Sequence, residues 1–267
     1  MSNNFENGKY WQVGVELVSG CSPCSPGCKN CWSAALAHRF YREGEPGHES
    51  GIFTDEAGRF NGDIVVHPER LCIPLKRRKL TVYSIWNDWA HEAVDHDFRR
   101  QIMRVAEDCR QHTVLALTKR PEVALDFTRW MGDLGSFPEN WWNGLTICTQ
   151  QEADKKLPIF LQIPGNKFLN FEPLLENIIL PFNDEFPDLD GCYEDMRHNI
   201  KAVILGCETG RKARQMNPDW AINIVRQCKA DDIPIWVKQV TVNGKVSKNM
   251  SDWPDELRVR ELPWVIK

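Results

Sequence analysis

Short apolar runs alternate with helical periods along most of this chain. Apolar or β-branched runs occupy residues 11–17 (WQVGVEL), 80–85 (LTVYSI), 113–117 (TVLAL), 144–148 (GLTIC), 167–171 (KFLNF), 201–205 (KAVIL) and 234–237 (PIWV). Helical spacing appears between them, at residues 32–42, 97–109, 122–131, 153–161 and 218–230. In the second of these, Phe98, Ile102, Val105 and Ala106 fall on one stripe, with Asp95 or Asp97 placed as a cap. Strands that are apolar on both faces and alternate with helices predict an α/β fold with a parallel sheet covered on both sides.

Polar residues fall just after the strands: the cysteines after the first, then Asp88, Lys119 with Arg120, Gln150, Glu172, Glu208, and Lys238 with Gln239. An open sheet would spread these positions along a line, whereas a barrel gathers them at one C-terminal mouth. The expected fold is therefore a complete or partial (β/α) barrel of about six to seven parallel strands, built as a single domain over residues 1–267. Two polar, acidic stretches, residues 43–63 and 183–195, read as surface insertions. Asn243-Gly244 reads as a hairpin turn, and residues 253–264 as a tail packed over one end of the barrel. No internal repeat and no glycine phosphate fingerprint is evident.

The net charge of −4 and pI near 6.0 disfavour sequence-blind binding to duplex phosphates, which needs a basic face. The polar N-terminus and the absence of a long apolar run predict a cytosolic protein with no membrane contact. In a reducing compartment the ten cysteines are expected as free thiols or ligands rather than disulfides. Cys72, Cys109, Cys148, Cys192, Cys207 and Cys228 are scattered singly and suit small buried sites.

The other four crowd into residues 21–32, CSPCSPGCKNCW. Cys24, Cys28 and Cys31 form C-x3-C-x2-C; Cys21, Cys28 and Cys31 form C-x6-C-x2-C. Either leaves three thiolates on a loop between a strand and a helix, a set that suits an iron–sulfur cluster with one iron left open. Structural zinc is the competing assignment. The two C-x2-C pairs are separated by only three residues, however, where zinc ribbons separate them by about fifteen or more. His67, His91 and His112 lack partners at metal-ligand spacing and read as structural or surface residues. The eleven tryptophans suit the core, with a base-stacking platform as a further use.

Strand, cysteine loop and helix at the start of a β/α barrel is the layout of radical S-adenosylmethionine (SAM) enzymes. The segments SGCSPCSPGCKNCW (19–32), HPERL (67–71) with IPLK (73–76), SIWNDWAHEAV (84–94), HTVLALTKRPE (112–122), GLTICTQ (144–150), KFLNFEPLLENI (167–178), AVILGCETG (202–210), MNPDW (216–220) and WVKQ (236–239) follow the order of a phage-associated family of radical-SAM-like proteins. The chain resembles that family over most of its length. The family's cysteine pattern, C-x6-C-x2-C followed by an aromatic, maps to Cys21, Cys28, Cys31 and Trp32. Cys24 departs from it and creates the commoner radical SAM spacing, which makes it the alternative first ligand. Cys207 is a second departure, at a position where the family usually has glycine.

The resemblance implies a 4Fe–4S cluster on three cysteines, with SAM on the open iron and one-electron cleavage of SAM to a 5′-deoxyadenosyl radical. It also implies an electron donor such as flavodoxin or ferredoxin, and, for a phage-encoded chain, action in the host cytoplasm. A nucleotide or a hypermodified DNA base is the candidate substrate. On this reading Ser84, Asn87 and Asp88 lie where the methionine amino group binds, with Asp88 the preferred residue. Lys119 and Arg120 are candidates for the SAM carboxylate or a substrate phosphate. Glu172 and Glu208 are candidates for the ribose hydroxyls or a substrate amine. Glu172, Glu208 and Lys238 are the candidate catalytic residues, and Gln239 shares the end of the last strand.

Overall fold

The computed structural model describes residue 5 and residues 7–41, 52–132, 136–182, 185–187 and 193–264. Its elements, in chain order, begin with β1 (Val13–Val15), β2 (Val18–Ser19), α1 (Trp32–Phe40), β3 (Val65–Val66), α2 (Cys72–Leu75) and β4 (Val82–Ile85). They continue with α3 (His96–Asp108), β5 (Thr113–Thr118), α4 (Pro121–Met131), β6 (Trp141–Thr146), α5 (Gln150–Phe160) and β7 (Asn166–Phe171). The last are β8 (Glu185–Pro187), β9 (Tyr193–Asp195), α6 (Met196–Asn199), β10 (Ile200–Gly206), α7 (Pro218–Ala230), β11 (Ile235–Val242) and β12 (Lys245–Ser247).

One mixed sheet of eight strands organises the molecule, in the order β1-β4-β5-β6-β7-β10-β11-β12. The first seven pair in parallel and β12 returns antiparallel after the Asn243-Gly244 turn. The strand count and direction match the sequence expectation. Among the described residues β1 and β11 do not pair. The N-terminal segment nevertheless lies against β11: the Trp236 indole donates to the Gly8 carbonyl at 3.0 Å, and Lys238 Nζ stands 5.1 Å from the Trp11 ring.

The period of two along each strand divides the core. Tyr83, Val114, Trp141, Leu169, Val203 and Ile235 face the large cluster that also contains Phe98, Leu125, Leu157 and Val225 of the helices. Val82, Leu115, Trp142, Phe168, Ile204 and Trp236 face the other way, into a second cluster closed by Tyr10, Leu262 and Trp264. The tail thus packs where expected, with Trp264 edge-on to Trp142 and Phe168. Two residues further on, this second face turns polar, at Ser84, Asn170 and Lys238. Four residues on it reaches Lys119, Thr146 and Glu172. The same alternation that builds the apolar plug therefore aims the polar side chains above it.

Helix starts follow local chemistry. Asp95 accepts from Phe98 N at 2.6 Å, Thr149 from Glu152 N at 3.3 Å, and Asn217 caps a helix that opens on Pro218. Two sequence readings shift. β6 begins at Trp141 and ends at Thr146, so Gln150 starts a helix and bonds Asp154 and Ile179. The buried stripe of α1 is Ala34 and Ala37, while Leu36 and Phe40 are partly exposed. Of the expected insertions, residues 42–51 lie outside the described residues; residues 52–63 form a loop pinned by a Thr54–Phe60 bridge. The stretch 183–195 contains the β8–β9 ladder, and residues 183–184 and 188–192 lie outside the described ones. Among the described residues no helix is long and apolar enough to cross a membrane.

Candidate functional site

The C-terminal ends of the parallel strands surround one cavity, with about 1040 Å³ of atom-free space that opens to solvent. Cys21, Cys24, Cys28 and Cys31 line it together with Ser84, Asp88, Lys119, Arg120, Glu172 and Lys238. Trp11, Trp32 and Trp86 supply its aromatic wall, with Trp32 edge-on to Trp86. Of the strand-end residues singled out in the sequence, Gln150, Glu208 and Gln239 do not line it.

The cysteine loop is held from below by Arg120. Its guanidinium is buried and donates to the Ser22 carbonyl at 2.8 Å and to Ser22 Oγ at 2.7 Å; Nη1 reaches Cys21 Sγ at 3.9 Å. On its other side it pairs with Asp88 and Glu92, both at 2.8 Å. Asp88 also accepts from Thr118 Oγ1 at 2.6 Å and from Ala90 N at 3.2 Å. Burial would lower the Arg120 pKa, but the Asp88 carboxylate and the Cys24 and Cys21 sulfurs together outweigh it and the guanidinium is held charged. Arg120 and Asp88 therefore satisfy one another. Neither is the solvated or free group that a strand-end position suggests. His91 joins the same loop through Ser22 Oγ at 2.8 Å, and its burial, with the Arg120 charge, lowers its pKa.

Lys119 is the contrast. It is half-buried, lines the cavity, and its ammonium makes no hydrogen bond or ion pair among the described residues. Burial alone would lower its pKa; the sulfurs of Cys148, Cys28 and Cys31 and the Asp88 carboxylate outweigh burial and raise it. The thiols are themselves differentiated. The Cys24 thiol donates to the Cys28 sulfur, which lowers the Cys28 pKa against the effect of burial and raises that of Cys24. Burial, reinforced by Asp88, pushes Cys21 up to about 12. Among the described residues no group of three or more His, Cys, Asp or Glu side chains stands arranged as a metal site. The donor set itself, four thiols beside a buried and a half-buried cation, suits soft metals and iron–sulfur clusters.

Gly27 fixes how closely the loop seats. A Cβ there would lie 2.4 Å from Cys148 Sγ, two residues past the end of β6. Gly27→Ala is expected to lower stability by about 1–3 kcal/mol through overpacking. Cys148→Ala should recover most of that loss in the double variant, as read from thermal unfolding of the four proteins in the cycle.

Across the cavity, Glu172 accepts from Lys238 Nζ at 2.5 Å and from Gln239 Nε2 at 2.9 Å. Glu208 is buried outside the cavity. It binds Arg214 through the backbone N at 2.7 Å and Nε at 3.0 Å, and Asn30 Nδ2 at 2.9 Å. These bonds outweigh burial and keep its pKa low. Arg214 also donates to the Pro26 carbonyl, and Asn30 to the Lys212 carbonyl, both at 3.0 Å. Glu208 thus straps the loop after β10 to the cysteine loop. Sequence reasoning misses Ser22, Asn30 and Arg214, whose roles depend on contacts across the fold. It also misses Thr146 and Asn170, which the strand-end rule finds once β6 and the inward face of β7 are placed.

The family model described as "Protein of unknown function (DUF5131)" matches residues 9–258, and the chain belongs to that family. No curated protein and no solved structure matches it.

Proposed function

We propose that this member of the DUF5131 family is a radical SAM enzyme whose sheet forms a partial β/α barrel. The observation that carries the reading is the cavity at the strand ends, lined by four loop cysteines and by a lysine that has no ion-pair partner among the described residues. The partial barrel is supported by six strands sending side chains into one plug and by the packing of residues 8–11 against β11. Cys21, Cys28 and Cys31 would hold a 4Fe–4S cluster. Cys21 is favoured over Cys24 because it is half-buried and fastened through the Arg120 network, whereas Cys24 is exposed. When bound, the cluster supplies one electron for reductive cleavage of SAM to a 5′-deoxyadenosyl radical.

The chain's own residues divide the remaining work. Arg120 and Asp88 position the cysteine loop. Lys119, which no carboxylate among the described residues pairs with, takes the carboxylate of SAM. Ser84 is left for its amino group, since the Asn87 amide already accepts from Ser33 Oγ at 2.6 Å and donates to the Val18 carbonyl at 2.8 Å. Glu172 and Lys238 face the substrate side, where Trp11 offers an aromatic surface to a nucleotide or DNA base. The working compartment is the cytoplasm, that of the host for a phage-encoded chain.

Calorimetric titration of SAM into the reconstituted protein tests the assignment of Lys119. Losing one charged hydrogen bond is worth about 1.5–3 kcal/mol, so Lys119→Met should weaken SAM binding roughly 10- to 100-fold while iron content is unchanged. Equal affinity in the two proteins would remove Lys119 from the site.

A further inference from the structure

The cysteine loop has an outer side that the chemistry in the cavity does not use. A groove runs there between residues 23–29 and the 55–60 hairpin, lined by Pro23, Ser25, Cys28, Lys29, Arg59 and Phe60, with Asp55 closed onto Arg59 at 2.9 Å. Pro23, Cys28 and Phe60 line both this groove and the inner cavity, and of these Cys28 is a proposed cluster ligand. The strap described above brings a second segment to the same place through Asn30 and Arg214. It carries Arg211 and Lys212, both exposed. Lys29, Arg211 and Lys212 have no ion-pair partner among the described residues. Lys29 lines the groove, and Arg211 and Lys212 belong to the segment strapped to the loop at Asn30 and Pro26, in a chain whose net charge is −4.

We infer that this groove and its Lys29, Arg211 and Lys212 rim form the docking surface for a small acidic one-electron carrier protein, which delivers its electron through Cys28. The inference rests on the cluster reading above. Charge complementarity selects an acidic partner, since local cations on an otherwise acidic protein attract an acidic surface and disfavour a basic one. Position selects an electron carrier, because the groove approaches a proposed ligand without entering the cavity. In the step itself one electron leaves the reduced carrier and enters the cluster; no bond is made or broken.

The test compares reconstituted wild type with the Lys29→Glu/Arg211→Glu/Lys212→Glu variant, using reduced flavodoxin and, separately, dithionite. Cluster bleaching is followed by stopped flow at low and high salt. Reversing the rim should slow reduction by flavodoxin at least about tenfold at low salt, with the difference shrinking as salt rises. Dithionite should reduce both proteins alike, and the affinity of the cluster-free protein for flavodoxin should fall in parallel. Equal flavodoxin rates with normal dithionite reduction would overturn the docking surface and leave the cluster reading intact. A variant that loses binding to a single-stranded oligonucleotide but not to flavodoxin would assign the cations to phosphates instead, and would also overturn it. A chain that takes up no cluster overturns both readings.

Discussion

Cys28→Ala and Cys31→Ala, reconstituted anaerobically with iron and sulfide, should each lose the brown chromophore and bind almost no iron. Both residues belong to either spacing of the motif, and both line the cavity. Removing one of three thiolates leaves an iron without its protein ligand. The informative comparison is Cys21→Ala against Cys24→Ala. Cys21 is tied to the buried Arg120–Ser22 network, so its loss should match that of Cys28. Cys24 is exposed, and its thiol is committed to Cys28. Cys24→Ala should therefore retain the cluster with near wild-type iron content. The reverse pattern, measured as iron per chain and by absorption, would place the first ligand at Cys24.

Arg120→Leu should produce the largest loss of stability of any single change in the site. The side chain is buried with Asp88, and its removal leaves that carboxylate without its counter-charge. Breaking a buried pair in this way costs about 3–5 kcal/mol. For a domain of this size that corresponds to a fall of roughly 6–20 °C in Tm. Asp88→Asn combined with Arg120→Leu should lose less than Arg120→Leu alone, because no unpaired charge remains. Arg120→Lys should not restore the wild-type Tm, since a lysine cannot hold Asp88, Glu92 and Ser22 at once. A change of less than about 2 °C in Arg120→Leu, by circular dichroism, would mean that the network does not carry the loop.

Much of this arrangement is legible in the amino-acid sequence. The parallel strands announce themselves because both faces are apolar, which short runs such as residues 113–117 display without ambiguity. The inward polar residues are legible because a strand side chain keeps its face at every second position, so Glu172 and Lys238 follow from Phe168 and Trp236. Two kinds of information are not carried locally. The start of β6 is hidden because Trp141, Trp142 and Asn143 precede the glycine that looks like its first residue. Pairing between distant charges is hidden altogether. Arg120 and Lys119 are neighbours after the same strand, yet one is buried against Asp88 and Glu92 and the other faces the thiols. Likewise Glu208 sits at a strand end but turns to Arg214. Periodicity assigns a face; it does not say which carboxylate reaches which cation.

The most direct test of the central claim is mass spectrometry of SAM incubated anaerobically with the reconstituted protein and dithionite. The account predicts 5′-deoxyadenosine and methionine from wild type and neither from Cys28→Ala. A colourless, zinc-bearing protein that leaves SAM intact would contradict it, as would a methylated product formed without 5′-deoxyadenosine.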